Sequence, residues 1–157
     1  MAVLDHFGEL STAQDLTVGT TDSENVIYMP ATDYTAITDV WLVVDCETVA
    51  TGDGSDTYEF KWVVASESTL DTILEVVKVV ITGYTDQRIA TAGQRIMAVN
   101  IGTMLIDCFD NSSYPYLGLM SVISAGATVS INAAVFIHKP HTKYNTQVVR
   151  SNVTIPS

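Results

Sequence analysis

The sequence predicts a single all-β domain, built as an antiparallel sandwich or barrel. Apolar residues occupy every second position over residues 58–64 and again over 129–137, which is the period of a strand with one buried face. Turn sequences rich in Gly, Asp and Asn separate the apolar runs, as in 51–56 and 110–113. About seven or eight such runs recur at roughly 8–12-residue spacing, which is typical of a small β domain.

The strands are predicted in order from these patterns. In the third run, Tyr58, Phe60 and Trp62 share one face, while Glu59 and Lys61 lie on the other. The full set of predicted strands covers residues 26–29, 40–49, 58–64, 74–81, 94–101, 117–124 and 129–137.

The turn over residues 51–56 contains the step Asp53-Gly54 between two apolar runs. This step is a strong signal for a short hairpin. We therefore expect a hairpin that joins the strand of Trp41 to the strand of Trp62.

Residues 70–81 support two interpretations. Leu70, Ile73, Leu74 and Val77 fit helical spacing. The segment 76–82 is crowded with β-branched side chains, which lose rotamer freedom in a helix. We predict a strand here, with room for a short helical turn before it.

The two ends lack a convincing strand pattern. Residues 1–21 contain only a mildly amphipathic patch, and the end of the chain is polar, with Thr and Asn prominent. We predict an N-terminal arm at 1–21, a β-sandwich domain at 22–138 and a C-terminal arm at 139–157.

Composition and charge favour a protein partner. The chain is 47% hydrophobic and only 16% charged, so we expect part of its apolar surface to contact another protein. A formal net charge of −11 argues against nucleic acid, which needs clustered Lys and Arg. All acidic residues precede position 138, whereas Lys139, Lys143 and Arg150 follow it. An acidic body with a basic tail suits docking on an acidic surface, although a solvated tail without a partner explains the same pattern.

No apolar run reaches the ~18 residues of a membrane span, and 1–10 lacks the blocks of a signal peptide. We therefore expect no membrane partner and a soluble compartment. Cys46 and Cys108 are too few for a disulfide framework and are predicted to be buried thiols.

Three carboxylates are candidates for a catalytic group. Asp45 and Glu47 alternate onto one strand face, and the expected hairpin would bring Glu59 near them, as in sugar-cleaving sandwiches. Polar residues on a solvated strand face explain the same pattern, and no nucleophile, base and acid arrangement stands out. We predict that the protein is not an enzyme.

Metal and sugar sites are the other chemical alternatives. His138 and His141 lack further zinc ligands at useful spacing. The acidic groups of 53–56 and of 107–110 lack the pattern of a calcium loop, so we interpret them as turn residues and expect no metal or cofactor. Trp41 and Trp62 could form a sugar-stacking platform, but both lie in apolar alternation and are predicted to pack in the core.

The order of several short motifs resembles that of small capsid cement proteins of tailed bacteriophages. The motifs are FGELSTAQDLT at 7–17, SENVI at 23–27, Gly83-Tyr84, PYLGL at 115–119 and the last strand at 127–137. Each is short, so the resemblance depends on their order over about positions 7 to 138.

This resemblance implies a jelly-roll-like β-sandwich on the outer surface of the phage head, made in the bacterial cytoplasm. Such a protein bridges neighbouring major capsid protein subunits, usually as a symmetric dimer or trimer. On this basis we expect Lys139, Lys143 and Arg150 to lay the tail along acidic capsid surface. Phe7 and Leu10 would pack against a neighbour.

Two other functions, one structural and one not, remain open from the sequence. A tail or head-fibre component of the same kind of particle would share the sandwich. A carbohydrate-binding module would instead use an exposed Trp41 or Trp62.

Overall fold

The computed structural model describes residues 8–28, 40–100 and 113–136. In these residues the chain forms a succession of β-strands with one short helix. The elements are β1 (Glu9–Leu16), β2 (Gly19–Asp22), β3 (Ile27–Tyr28), β4 (Trp41–Thr51), β5 (Thr57–Ala65), β6 (Ile73–Thr82), α1 (Gln87–Ala90), β7 (Arg95–Asn100), β8 (Tyr116–Ile123) and β9 (Thr128–Phe136).

The strands form two antiparallel sheets that pack face to face. Sheet A has the order β1-β9-β4-β7, and sheet B has the order β2-β8-β5-β6, with β3 also paired to β8. The predicted all-β sandwich is confirmed, and each predicted strand lies at or within a few residues of an observed one. The barrel alternative is not realised, because the two sheets are separate.

The core lies between the sheets and follows the alternation seen in the sequence. Tyr58, Phe60 and Trp62 of β5 are fully buried, as predicted. Burial of each such side chain contributes about 1.5–3 kcal/mol, so this one strand supplies a large part of the hydrophobic stabilisation. The facing residues of sheet A include Leu10, Leu16, Leu42, Val44, Cys46, Ile131 and Ala133.

The turn at residues 52–56 does not form the predicted hairpin. β4 pairs with β7 and β9 in sheet A, whereas β5 pairs with β6 and β8 in sheet B. Both lateral positions beside β4 are therefore occupied, and the turn carries the chain from one sheet to the other. The connections 17–18, 83–94 and 124–127 change sheets in the same way, while 66–72 joins β5 to β6 within sheet B.

The N-terminal arm predicted at residues 1–21 is wrong for residues 9–21. β1 is an edge strand that pairs with β9, from Glu9 opposite Ala134 to Leu16 opposite Val129, and β2 pairs with β8. Two register shifts in β1 and a positive φ of 49° at Ala13 break the period of two, so the sequence shows no clean alternation. Residues 1–7 and the predicted arm at 139–157 lie outside the described residues.

β6 is a strand, as predicted for residues 74–81. Its residue Val76 has no partner in β5, because Trp62 pairs with Val77 and Val63 pairs with Glu75. This β-bulge turns both Val76 and Val77 toward the core, which explains the helix-like spacing in the sequence. The residues before it, 66–72, form a loop of turns and bends instead of the helical turn that was considered.

Candidate partner-binding surface

One half of the outer face of sheet B carries apolar side chains between charged ones, and they are half-buried or exposed. Its residues lie in rows across the four strands, since register partners in a sheet point to the same side. One row places Val122 beside Glu59 and Val80, and the next places Met120 beside Lys61 and Lys78. We call these six residues the sheet B surface.

The sheet B surface carries two lysines and one glutamate, and Glu75 beside it supplies a second carboxylate. Lys61 and Lys78 face each other across β5 and β6, an arrangement that is unfavourable on its own. Glu59 lies 3.9 Å from Lys61 and 3.6 Å from Lys78, and Glu75 of the same strand as Lys78 lies 3.7 Å from it. This surface is therefore close to neutral, although the chain as a whole carries a net charge of −11.

One carboxylate borders the sheet B surface. Asp22 of β2 is the register partner of Met120. Partial burial and then the nearby charge of Asp71 raise the pKa of Asp22 above its usual value. The Asp22 carboxylate thus lies beside apolar side chains, where water solvates its charged form less well.

A small satellite core covers the other half of the outer face of sheet B. Val63 and Ala65 point outward from β5, yet both are fully buried under Leu70 of the 66–72 loop. Leu70 has a left-handed φ of 56° and packs over Gly118 of β8. A Cβ at position 118 would lie 2.7 Å from Leu70 Cδ1, so any larger residue would have to displace the end of the Leu70 side chain.

β6 forms one edge of sheet B. Among the described residues β5 is the strand with which it pairs, and its other edge has no paired strand there. It is ten residues long and exposes 44% of Leu74 and 48% of Val80. An edge strand of this length with exposed apolar side chains is a common site of pairing with another chain.

The acidic turn at residues 52–56 is a structural element. Asp53 accepts hydrogen bonds from the Ser55 amide at 2.7 Å and from the Asp56 amide at 3.1 Å, and Ser55 lowers its pKa. Asp56 is buried and accepts from the Asp53 amide at 2.7 Å and from Ser124 Oγ at 2.9 Å. These carboxylates thus hold turn donors, the role predicted for them.

The same turn is closely packed. Tyr58 donates to the Thr51 carbonyl at 2.7 Å, and burial followed by the charges of Asp56 and Asp53 raises its pKa. Gly52 has a φ of 144°, and a Cβ there would lie 2.4 Å from an Asp56 carboxylate oxygen. In the described parts of the chain, no group of three or more His, Cys, Asp or Glu residues is arranged to hold a metal ion.

The three carboxylates weighed for catalysis are not brought together. Asp45 and Glu47 do share the outer face of β4, but Glu59 lies in sheet B. Asp45 pairs with Arg95 at 2.6 Å, and Glu47 accepts from Asn132 Nδ2 at 2.6 Å. The expectation that a hairpin would place Glu59 beside them is therefore wrong.

The two tryptophans have different environments. Trp62 is fully buried in the core, as predicted, and within the described residues its Nε1 finds no hydrogen-bond partner. Trp41 is partly exposed at the start of β4, where its register partners are Phe136 and Asn100. A sugar platform built on Trp62 is thus excluded by its burial.

A shallow groove of about 300 Å³ lies where β1, β4 and β9 approach the turn end of sheet A. Its polar side chains bond to one another, since Thr51 and Thr128 share a hydroxyl contact of 2.6 Å and Ser130 donates to Asp15. We assign no ligand to this groove.

The predicted partner-binding residues are only partly described. Leu10 is fully buried in the core, with 0% of the residue exposed to solvent. Its assignment as a contact to a neighbouring protein is therefore wrong. Leu10 faces inward because β1 is part of sheet A. Phe7, Lys139, Lys143 and Arg150 lie outside the described residues, as do Cys108, His138 and His141. Cys46 is a buried thiol, as predicted.

Sequence reasoning missed the sheet B surface, although a signal was present. The segments 116–123 and 76–81 are apolar at nearly every position instead of every second one. Such a run indicates a strand whose two faces are both apolar. The alternation of β5 predicts only which of its side chains face the core.

No protein-family model matches this chain, and no curated protein is significantly similar to it. The described part of the chain contains no helix that is long and apolar enough to span a membrane.

Proposed function

We propose that this protein is a structural subunit of a virus particle, a capsid cement protein that binds the outside of a phage head and bridges neighbouring major capsid protein subunits. The observation that carries the proposal is the sheet B surface, which sets the apolar side chains of Met120, Val122 and Val80 beside nearly balanced charges on an otherwise acidic chain. A surface of this kind is suited to contact with protein.

The described carboxylates support a structural subunit over an enzyme. Asp45, Asp56 and Asp86 each hold a partner inside the fold, with Arg95, Ser124 and Arg88 respectively. A catalytic acid or base usually lies in a cleft, where it can reach the reacting atom of a substrate. These three carboxylates instead join parts of the fold to one another.

The resemblance in motif order is the reason that we propose a phage head as the particle to which the protein binds. Cement proteins of tailed phages bridge capsid subunits from outside, and their jelly-roll-like connectivity is expected here. A bridging subunit adds resistance because all its linked contacts must break before a capsid subunit leaves. The basic residues Lys139, Lys143 and Arg150 are proposed to contribute electrostatic contacts with acidic capsid surface.

The first test is to mix the purified chain with phage heads that lack it and to measure sedimentation with intact heads. We expect binding that saturates at a fixed ratio to the major capsid protein. Sedimentation with isolated tails but not with heads would favour the tail or fibre alternative, and binding to neither would refute the proposal.

The tail is tested by deleting residues 139–157. We expect weaker binding to heads and a smaller loss of affinity when the salt concentration is raised about fourfold, from roughly 50 to roughly 200 mM. Replacing Lys139, Lys143 and Arg150 by Gln in the full-length chain separates charge from length. Unchanged occupancy and unchanged salt response in both variants would remove the tail from the proposal.

A further inference from the structure

We propose that β6 pairs edge to edge with β6 of a second copy of this chain, antiparallel and about a two-fold axis, so that sheet B continues from one protomer into the other. This inference deepens the proposed function, because it names the surface through which the subunit would assemble with itself.

The first support is the choice of edge. β2 and β3 form a short and interrupted edge of sheet B, and β1 is irregular because of its two register shifts. β7 has six residues, whereas β6 has ten. A long edge strand offers the most backbone hydrogen-bond groups to a partner.

The second support is the pattern of side chains along β6. Ile73, Glu75, Lys78 and Val80 point to the outer face, since their partners in β5 are Ala65, Val63, Lys61 and Glu59. The bulge at Val76 is the reason that Glu75 and Lys78 share a face despite a spacing of three. Without the bulge, they would lie on opposite faces.

The third support is complementarity in one self-paired register. When Val76 lies opposite Val77 of the second copy, Glu75 comes opposite Lys78, and Ile73 comes opposite Val80. Every residue then meets a residue of the same face, because both copies carry the bulge at the same place. The two-fold axis repeats each pair, which gives two opposite-charge pairs and two apolar pairs.

A register shifted by one residue loses this match. Glu75 would then face Val79, and Lys78 would face Val76, so each charge would oppose an inward-pointing apolar side chain. The sequence of β6 thus favours this self-pairing over the register shifted by one residue. The small area of a single strand pair predicts a weak dimer, with a dissociation constant of about micromolar order.

The oligomeric state of the purified full-length chain tests the inference without any capsid. Sedimentation equilibrium should show a dimer that dissociates on dilution. A chain that stays monomeric up to about 100 µM, well above the expected constant, would overturn the inference.

A matched pair of substitutions tests the location. Val80→Lys places a charge opposite Ile73 of the second copy, and we expect the dissociation constant to rise by at least about tenfold, since two apolar pairs are lost per dimer. Val18→Lys makes the same change at a more exposed valine away from β6, with 61% of that residue exposed, and should leave the dimer intact. Equal effects of the two variants would overturn the assignment to β6.

Cysteine cross-linking tests the register. The variant carrying both Ile73→Cys and Val80→Cys should form a disulfide-linked dimer under oxidation, while the two single variants and the unchanged chain should not. The two positions are too far apart on one strand to join within a chain, at about 3.3 Å per residue. A dimer that forms without this cross-link would refute the register.

These outcomes are separable from those of the proposed function. A dimer without affinity for phage heads would retain the β6 pairing and refute the cement function. Head binding by a chain that remains monomeric would support the cement function and refute the β6 pairing.

Discussion

Asp86 shows how single carboxylates stabilise this acidic chain. It caps α1, where its side chain accepts from the Arg88 amide at 2.9 Å, and it pairs with the Arg88 guanidinium at 2.8 Å. The hydrogen bond from the Arg88 side chain is the main reason that the pKa of Asp86 falls to about 2. The ionised form of this residue is therefore favoured by folding.

The lowered pKa of Asp86 gives a pH dependence with a definite sign. Its contribution to stability is fully present above the unfolded pKa near 3.8 and is lost as the pH falls toward about 2. We expect Asp86→Ala to lower the free energy of unfolding at pH 7 by about 1 kcal/mol, after allowance for solvent screening of this accessible pair. Urea unfolding measures this change.

Asp86→Asn is the control for charge, since Asn also caps helices well. We expect it to cost about half as much as Asp86→Ala at pH 7. The difference between Asp86→Asn and the unchanged chain should shrink as the pH falls from 4 to about 2. A difference that is constant over this range would contradict the role of the ion pair.

At the scale of elements, regular strands were predictable and irregular ones were not. The sequences of β5 and β9 alternate over 57–62 and 128–133, so the core-facing residues of these stretches could be identified from sequence. β1 was missed because register shifts near Ser11 and Gln14 break its period. The bulge at Val76 likewise mixed strand and helix signals in β6, because a bulge adds one residue to the repeat.

The contact between the 66–72 loop and β8 is a second testable element. Gly118→Ala should lower the free energy of unfolding by about 1–2 kcal/mol, because the new Cβ forces Leu70 from its position. Leu70→Ala removes a buried side chain and should cost about 2–3 kcal/mol. In the double variant the cost of Gly118→Ala should nearly vanish, which a double-mutant cycle measures.

Gly54→Ala is the matched control, since an added Cβ there meets no atom within 4 Å. We expect a change within about 0.5 kcal/mol. Additive costs for Gly118→Ala and Leu70→Ala would show that the loop and the strand do not share this contact.

At the scale of the whole molecule, the buried carboxylate of Asp56 links sheet crossings. It lies in the β4–β5 connection and accepts from Ser124 of the β8–β9 connection, while its carbonyl accepts from Gly83 of the β6–β7 connection at 2.8 Å. Three passages of the chain between the sheets thus meet at one residue. The Asp-Gly step was visible in sequence, but its partners were not, since they are up to 68 residues away.

Asp56→Ala should therefore destabilise the sandwich more than the other turn changes. We expect a loss of about 2–3 kcal/mol in the free energy of unfolding, because the Asp53 amide and the Ser124 hydroxyl lose a charged acceptor. Asp56→Asn keeps an acceptor and a matching shape, and it should cost less than half as much. Similar costs for the two variants in urea unfolding would contradict this role.

The candidate surface was less predictable than the fold. Met120 and Val122 of β8 and Val80 of β6 come from two distant parts of the chain, which only their common pairing with β5 brings into the same sheet. The order of strands in a sheet is set by long-range packing, and a single sequence does not specify it. Leu10 illustrates the converse, because an apparently amphipathic start belonged to an edge strand of sheet A.

The pairing of Glu9 with Ala134 has a mechanical consequence. A force applied between these two residues would act across the β1–β9 ladder. Because the hydrogen bonds of the ladder lie perpendicular to the strands, they would open one after another. A sandwich loaded in this way yields at low force. A subunit that must resist strain would therefore need to receive the load along its strands, where many bonds are sheared at once.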